Sequence, residues 1–324
     1  MQGRNKSIAV ANEERVVHGH AWWRKRGSDR LLPCEPVAIQ RTRINAGGFD
    51  FDALASGPKS GELVLLLHGF PQSSSIWRGA LATLGTAGYR AVAPDQRGYS
   101  LGARPEGVDE YRISALSDDV LDIAGALGAK RFHLIGHDWG GTVAWTVAGE
   151  HPDRVATLTA ISTPHTAALR TALRSTSQRA RMAYIPLLQL PKAAEMLFDA
   201  GGGALAEAAL AVTGLPHSRA RRDVASLRRS GPTGPLNWYR ALGRDTTAHV
   251  KPVSVPTLHV WGTRDVAFGR QATELTARHV TGEYHLLELD GGSHWIPDEH
   301  WDDIEDVVVD HLRAHSAAEQ SSST

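Results

Sequence analysis

The carboxylate of Asp138 is the side chain of this sequence best placed to act as a nucleophile. It lies in the middle of the run GHDWG (residues 136–140), between a predicted strand and a predicted helix, which is the context of a nucleophile elbow. Glycines at both ends of the run leave room where a sharp turn brings backbones together. Backbone N–H groups and the dipole of the following helix favour the ionised carboxylate. The pattern therefore predicts an aspartate where serine hydrolases carry serine.

A carboxylate nucleophile restricts the reaction. Its attack on an ester or amide would give a high-energy anhydride, whereas its attack on saturated carbon gives an ordinary ester. We therefore expect an alkylating substrate whose leaving group is an epoxide oxygen or a halide. Water must then hydrolyse the ester, which requires a general base and a place where negative charge can develop.

A base and its partner follow in the chain order expected of such a triad: nucleophile, acid, histidine. Asp265 comes after a predicted strand at 257–260, in the run WGTRD, and His294 comes after the next predicted strand, at 284–289, in the run GGSHW. Active sites collect at the carboxyl ends of parallel strands. We assign His294 as the general base and Asp265 as the residue that orients it.

The oxyanion hole is predicted from two backbone groups. The N–H of Trp139 follows the nucleophile, and the N–H of Phe70 follows the predicted strand at 63–67. A cis bond between Phe70 and Pro71 would turn this loop inward.

The elements that carry these residues read as strands and helices in alternation, which predicts a mostly parallel sheet covered by helices. Strands are predicted at 37–43, 49–55, 63–67, 91–93, 132–135, 155–161, 257–260 and 284–289. The alternation stops between 164 and 255, where only helical patterns occur. We predict an N-terminal extension at 1–36, a core at 37–163 and 256–314, an inserted helical cap at 164–255 and a disordered tail at 315–324.

Composition sets limits on partners and location. Thirty-five basic and thirty-five acidic side chains leave no net charge, so neither nucleic acid nor an anionic membrane is an expected partner. Cys34 is the single cysteine, which excludes an intrachain disulfide. No run has the length of a signal peptide or a membrane span, so we expect a cytoplasmic protein. His68, His133 and His137 lack neighbours at metal-ligand spacing, so we expect no metal and no cofactor.

Four motifs together resemble the epoxide hydrolases of the α/β-hydrolase fold. They are HGFP (68–71), DQRGYS (95–100), GHDWGG (136–141) and GGSHW (291–295). The resemblance runs from Val37 to Leu312. It implies the α/β-hydrolase fold with a cap, and a small apolar epoxide and water as substrates. Haloalkane dehalogenases share the elbow, so the cap must distinguish the two activities.

The resemblance also implies two cap tyrosines that hydrogen-bond the epoxide oxygen and protonate it as the ring opens. The run PLNWYR (235–240) carries this role to Tyr239, and AYIP (183–186) carries it to Tyr184, although its flanking residues depart from the usual pattern. A halide needs no proton, and Phe70 offers no side-chain donor to hold one. Epoxide hydrolysis to a vicinal diol is therefore favoured.

Two alternatives stay open at this stage. A haloalkane dehalogenase would use the same aspartate, release halide and lose little activity when Tyr239 becomes Phe. A non-catalytic member of the fold would bind small apolar molecules without turnover.

Overall fold

A single mixed sheet forms the centre of the structure, a computed structural model that describes residues 6–12, 15–18, 37–244 and 251–316. Cys34, most of the predicted N-terminal extension and residues 317–324 of the predicted tail lie outside these residues. Within them the strands are β1 (Lys6–Asn12), β2 (Arg15–His18), β3 (Gln40–Ala46), β4 (Phe49–Ser56), β5 (Leu63–Leu67), β6 (Arg90–Pro94), β7 (Phe132–His137), β8 (Val155–Ile161), β9 (Thr257–Gly262) and β10 (Tyr284–Leu289). Their order is β2-β1-β10-β9-β8-β7-β5-β6-β4-β3.

Six of these strands, from β10 to β6 in that order, are parallel, and antiparallel strands flank them on both sides. All residues of β5, β7, β8 and β9 are buried. Continuous apolar runs suit strands that are covered by helices on both faces. The predicted α/β-hydrolase fold, with its mostly parallel sheet, is confirmed.

Two edges of the sheet differ from the prediction. β3 spans Gln40–Ala46, whereas the sequence predicts a strand at 37–43. The strand extends to Ala46 because a two-residue turn at Gly47 and Gly48 lets Ala46 pair with Phe49 of β4. β1 and β2 were not predicted at all. They add to the free edge of β10, where pairing uses backbone N–H and C=O groups.

Helices cover the sheet and form most of the described chain between β8 and β9. In the described residues they are α1 (Arg78–Thr86), α2 (Ile113–Ala126), α3 (Trp139–Glu150), α4 (Thr166–Ala172), α5 (Thr176–Arg181), α6 (Ile185–Gln189), α7 (Ala193–Asp199), α8 (Ala204–Val212), α9 (His217–Ser230), α10 (Thr233–Arg240), α11 (Arg270–Thr276), α12 (Ile296–Glu299) and α13 (Trp301–Arg313), with 3₁₀ turns at Ser74–Trp77, Val108–Tyr111, Ala200–Gly203 and Ala277–His279. Seven of them, α4 to α10, lie between β8 and β9. None of the helices described is long and apolar enough to cross a membrane.

The order in which the chain adds strands to the sheet reverses at β5. The chain passes from β5 to β6 on one side, whereas β7 pairs with β5 on the other. Loops that leave neighbouring strands in opposite directions form a crevice at the carboxyl ends of those strands, where ligands of open α/β sheets bind. The loop after β5 and the turn after β7 therefore face each other, which brings Phe70 next to Asp138.

The run DQRGYS (95–100) anchors the helix that carries Tyr239. Arg97 is buried and donates to Asp119 from Nε at 2.7 Å and from Nη2 at 2.6 Å. The carbonyl of Arg97 accepts from the indole N–H of Trp238 on α10 at 2.9 Å. Gly98 contacts Gly234 so closely that a Cβ on Gly98 would lie 2.7 Å from the Gly234 carbonyl carbon. The buried ion pair thus supports the turn on which α10 rests.

We expect Asp119→Asn to lower the free energy of unfolding by about 3–5 kcal/mol, because it removes the buried counter-charge of the Arg97 guanidinium and leaves only the exposed carboxylate of Glu110, 3.8 Å away. Urea denaturation measures the change. Asp118→Asn, at an exposed position of the same helix, is the matched control and should have little effect. Equal effects of the two substitutions would contradict this account of the ion pair.

Candidate active site

The backbone at Asp138 makes the sharp turn expected of an elbow. Asp138 lies between β7 and α3 with φ 51° and ψ −120°, a conformation that is costly for a residue with a side chain. A Cβ on Gly136 would lie 2.4 Å from the Gly140 carbonyl oxygen, and one on Gly140 would lie 2.2 Å from the Leu67 oxygen. Both glycines therefore have the steric role that the sequence predicts.

The Asp138 carboxylate is buried and held at both of its oxygens. Oδ1 accepts from the backbone N–H of Phe70 at 3.0 Å, and Oδ2 lies 3.6 Å from Nε2 of His294. Burial acts to raise the pKa of Asp138. The hydrogen bond and charge of His294, the neighbouring His137 and the N–H of Trp139 outweigh it, so that the pKa lies below its usual value. The carboxylate is therefore ionised at neutral pH.

The His294 ring lies between the carboxylates of Asp265 and Asp138. Its Nδ1 lies 3.0 Å from Oδ2 of Asp265, whose other oxygen accepts from the backbone N–H groups of Ala267 at 2.7 Å and Phe268 at 2.9 Å. Burial acts to lower the pKa of His294, but the charges of Asp265 and Asp138 and the hydrogen bonds to both raise it to about 10. The resting imidazole is thus protonated and forms an ion pair with Asp138.

The histidine that follows β5 and the one that ends β7 have structural partners. Nε2 of His137 donates to the backbone carbonyl of His294 at 2.9 Å, and burial first, then the charge of His294, lowers the pKa of His137 to about 4. His68 contacts Gly69 O, and its Nε2 accepts from Gln96 N. Across the ranges that the structure describes, there is no group of three or more His, Cys, Asp or Glu side chains that could hold a metal ion.

The structure brings both predicted tyrosines to this site. The Tyr239 ring is 3% exposed and packs edge-on against the rings of Phe70 and Trp139, each at 5.1 Å. The Tyr184 ring lies 6.4 Å from that of Tyr239 and is 40% exposed. Burial, the neighbouring Tyr184 and Asp138 raise the pKa of Tyr239 well above 10. Desolvation of its hydroxyl and the charge of Asp138 also raise the pKa of Tyr184.

Both tyrosines are therefore protonated at neutral pH and can donate a proton. Tyr184 immediately precedes α6, and Tyr239 lies in α10. Nε2 of Gln189 on α6 donates to the Tyr239 carbonyl at 2.9 Å, which links the two helices.

The Phe70–Pro71 peptide bond is cis, as expected.

Aromatic rings surround the polar groups of the site. Phe198 packs against Phe70 at 5.5 Å, Phe268 against His294 at 5.9 Å, and Trp238 against Trp139 at 5.7 Å. A site of this kind accepts apolar molecules and positions them with a few polar groups.

Several polar side chains on the helices between β8 and β9 have structural contacts that the sequence does not predict. They include Gln178, Arg181, Gln189 and Arg222. No sequence signal marks them, because glutamine or arginine in a polar helix is usually exposed to solvent.

Comparisons with known proteins place this geometry in context. Residues 62–300 match the family model described as alpha/beta hydrolase fold. The chain is 34% identical over 278 residues to the AB hydrolase superfamily protein YfhM of Bacillus subtilis, covering 83% of this chain and 96% of that protein. It is 30% identical to Epoxide hydrolase A of Mycobacterium tuberculosis, over 83% and 96% of the two chains. The crystal structure of Epoxide Hydrolase A from Mycobacterium thermoresistibile superposes with a TM-score of 0.75 at 27% identity, over 86% of this chain and 99% of that one.

Proposed function

Since the chain belongs to the epoxide hydrolases of the α/β-hydrolase fold, we propose that it opens its substrate through a covalent ester on Asp138 and releases a vicinal diol with water activated by His294. One observation carries the proposal. An ionised elbow carboxylate lies 3.6 Å from an imidazole that a second carboxylate holds at 3.0 Å. Nucleophile, base and orienting acid are thus connected in one chain of contacts.

The first step is alkylation of the enzyme. Oδ2 of Asp138 attacks one epoxide carbon, the carbon–oxygen bond breaks, and its electron pair goes to the epoxide oxygen. Tyr239 and Tyr184 hydrogen-bond this oxygen, and one of them gives it a proton, which yields a hydroxyalkyl ester. Oδ1 accepts a hydrogen bond from the Phe70 N–H at 3.0 Å, whereas Oδ2 has only the longer contact of 3.6 Å with His294, so Oδ2 is the oxygen free to attack.

The second step is hydrolysis of the ester. Once the ester has removed the charge of Asp138, His294 loses its proton to solvent. The neutral imidazole then removes a proton from water, and the hydroxide adds to the carboxyl carbon of Asp138. The negative charge develops on Oδ1, where the backbone N–H groups of Phe70 and Trp139 stabilise it. Collapse of this intermediate breaks the bond between the carboxyl carbon and the alkoxide, which takes the proton of the His294 imidazolium and leaves as the diol. The Asp138 carboxyl gives its proton to the tyrosinate left by the first step and is a carboxylate again, while Asp265 stabilises the imidazolium and keeps the ring in place.

We assign the helices α4 to α10 the role of a cap over the site. They supply Tyr184, Tyr239 and Phe198, whereas the nucleophile, base and oxyanion groups come from loops at the carboxyl ends of the strands. The rings around the carboxylate support a small apolar epoxide as the substrate.

Tyr239→Phe tests the choice of epoxide over haloalkane. We expect it to lower the rate of diol formation by on the order of 100-fold, because the epoxide oxygen loses one proton donor. Product analysis on a panel of terminal and aryl epoxides, with chloroalkanes and bromoalkanes beside them, measures the effect. Tyr284→Phe is the matched control: its hydroxyl contacts only His259 among the contacts described, at the opposite end of the sheet.

Two results would contradict the proposal. Halide release without diol, unaffected by Tyr239→Phe, would identify a dehalogenase. Binding of epoxides without turnover by the wild-type protein would identify a non-catalytic member of the fold.

A further inference from the structure

A buried glutamine of the cap helices is hydrogen-bonded to the loop that carries the triad acid. We call residues 265–269, between β9 and α11, the acid loop. Gln178 on α5 is 3% exposed. Its Nε2 donates to the Ala267 carbonyl at 2.8 Å, and its Oε1 accepts from the Gly269 N–H at 2.9 Å. One amide therefore pairs with a donor and an acceptor of the same loop.

Two further contacts hold the acid loop in one conformation. The guanidinium of Arg181, one turn after Gln178, donates to the Asp265 carbonyl at 2.6 Å. The indole N–H of Trp261 donates to the Phe268 carbonyl at 3.0 Å. Asp265 Oδ1 accepts from the N–H groups inside the loop, so Oδ2 remains for His294. The position of Oδ2 thus depends on the conformation of the loop.

The same helix leads directly to one of the proposed acids. The carbonyl of Gln178 accepts from Met182 N at 3.3 Å, and the carbonyl of Met182 accepts from Ile185 N at 3.1 Å, so hydrogen-bonded turns connect α5 to Tyr184 and α6. Tyr184 lies six positions after Gln178. A displacement of α5 from the acid loop would therefore displace the tyrosine as well as the loop.

We propose that Gln178 is a positioning residue for both steps of the reaction: it holds Asp265 in place for His294 and keeps Tyr184 at a fixed distance from the acid loop. This inference rests on the proposed function. Gln178 itself touches neither substrate nor the reacting atoms, and it acts through the two groups that do.

The physical reason lies in the cost of leaving polar groups unpaired. Replacement of the amide by an apolar side chain would leave the Ala267 carbonyl and the Gly269 N–H without partners in a buried place. The loop would relax to find others, which moves Asp265 relative to His294. Small displacements of catalytic groups cost much of the rate.

The experiment compares Gln178→Met with Arg179→Met by rapid mixing with an epoxide. Arg179 is the neighbouring residue on the same helix, and its side chain is exposed. We expect Gln178→Met to slow both ester formation and ester hydrolysis by roughly tenfold or more, and Arg179→Met to slow neither. Gln178→Glu, which keeps the shape and the acceptor for Gly269, serves as a second variant should Gln178→Met fail to fold.

The pH profile of ester hydrolysis separates positioning from a merely structural role. Three groups face His294: Asp265 from the acid loop, Asp138 from the elbow, which is neutral as the ester, and His137 from β7. If Asp265 moves away, the imidazolium loses a counter-charge, and the half-maximal pH of hydrolysis should fall in Gln178→Met. A lower melting temperature with both rate constants and the pH profile equal to those of Arg179→Met would overturn the inference. Failure of the proposed function would differ, since the wild-type protein would then form no ester.

Discussion

Asp138→Ala is expected to abolish diol formation, with a loss of rate on the order of 10⁴-fold or more, as for other enzymes that lose a covalent nucleophile. Without the carboxylate no ester can form at the elbow. The base and the oxyanion groups remain, but they serve only the hydrolysis of that ester. Product analysis with the epoxide that the wild-type protein turns over fastest measures the loss.

The matched control is Asp302→Ala, at an exposed position in the first turn of α13, which should retain the wild-type rate. Mass spectrometry of wild-type protein quenched during turnover should show the mass of the epoxide added to the peptide that contains Asp138. If Asp138→Ala formed diol as fast as Asp302→Ala, water activated by His294 would be attacking the epoxide directly. The covalent mechanism would then be wrong.

The framework of the site could be predicted because it depends on local patterns. The bounds of β5, β8 and β10 agree with the prediction to the residue, since each is a short run rich in apolar, β-branched or aromatic residues. The glycines around Asp138 indicate the backbone geometry, because only a residue without a side chain fits where the turn contacts β5. Chain order then led to Asp265 and His294, and these lie within hydrogen-bond reach of one another.

The supporting contacts could not be predicted because they join residues far apart in the chain. Gln178 donates a hydrogen bond to Ala267, which is 89 positions away in the sequence, and Trp238 donates one to Arg97, which is 141 positions away. Periodicity reports which face of a helix is buried, but it does not report what that face meets. The seven helices that the structure describes between β8 and β9 could not be predicted individually, since several of them span only five to seven residues.

The charge of the nucleophile links the two steps of the proposed reaction through His294. In the free enzyme Asp265 and Asp138 together raise the pKa of His294 to about 10, so the imidazole is protonated at neutral pH and cannot accept a proton from water. Formation of the ester removes the charge of Asp138. The pKa of His294 must then fall, because one of its two counter-charges has gone. Alkylation thus prepares the base for hydrolysis.

The two steps are therefore expected to differ in their dependence on pH. Ester hydrolysis should rise with pH as His294 loses its proton, with a midpoint below 10 because the ester is neutral. Ester formation needs an ionised Asp138, whose pKa is lowered, and protonated tyrosines, whose pKa values are raised. It should therefore be flat across neutral pH. Rapid mixing at a series of pH values measures the two rate constants separately.

His294→Gln should separate the steps completely. The variant keeps Asp138, the tyrosines and the oxyanion groups, so one equivalent of epoxide should still react, although glutamine cannot accept a proton from water. We expect a stable ester, seen as one added substrate mass per chain, and a steady-state rate lowered by on the order of 100-fold or more. His300→Gln, a partly exposed histidine that pairs with Asp303, is the control. Turnover at the control rate without ester accumulation would assign the base to another group, whereas absence of any ester would show that the imidazolium also holds Asp138 in its reactive position.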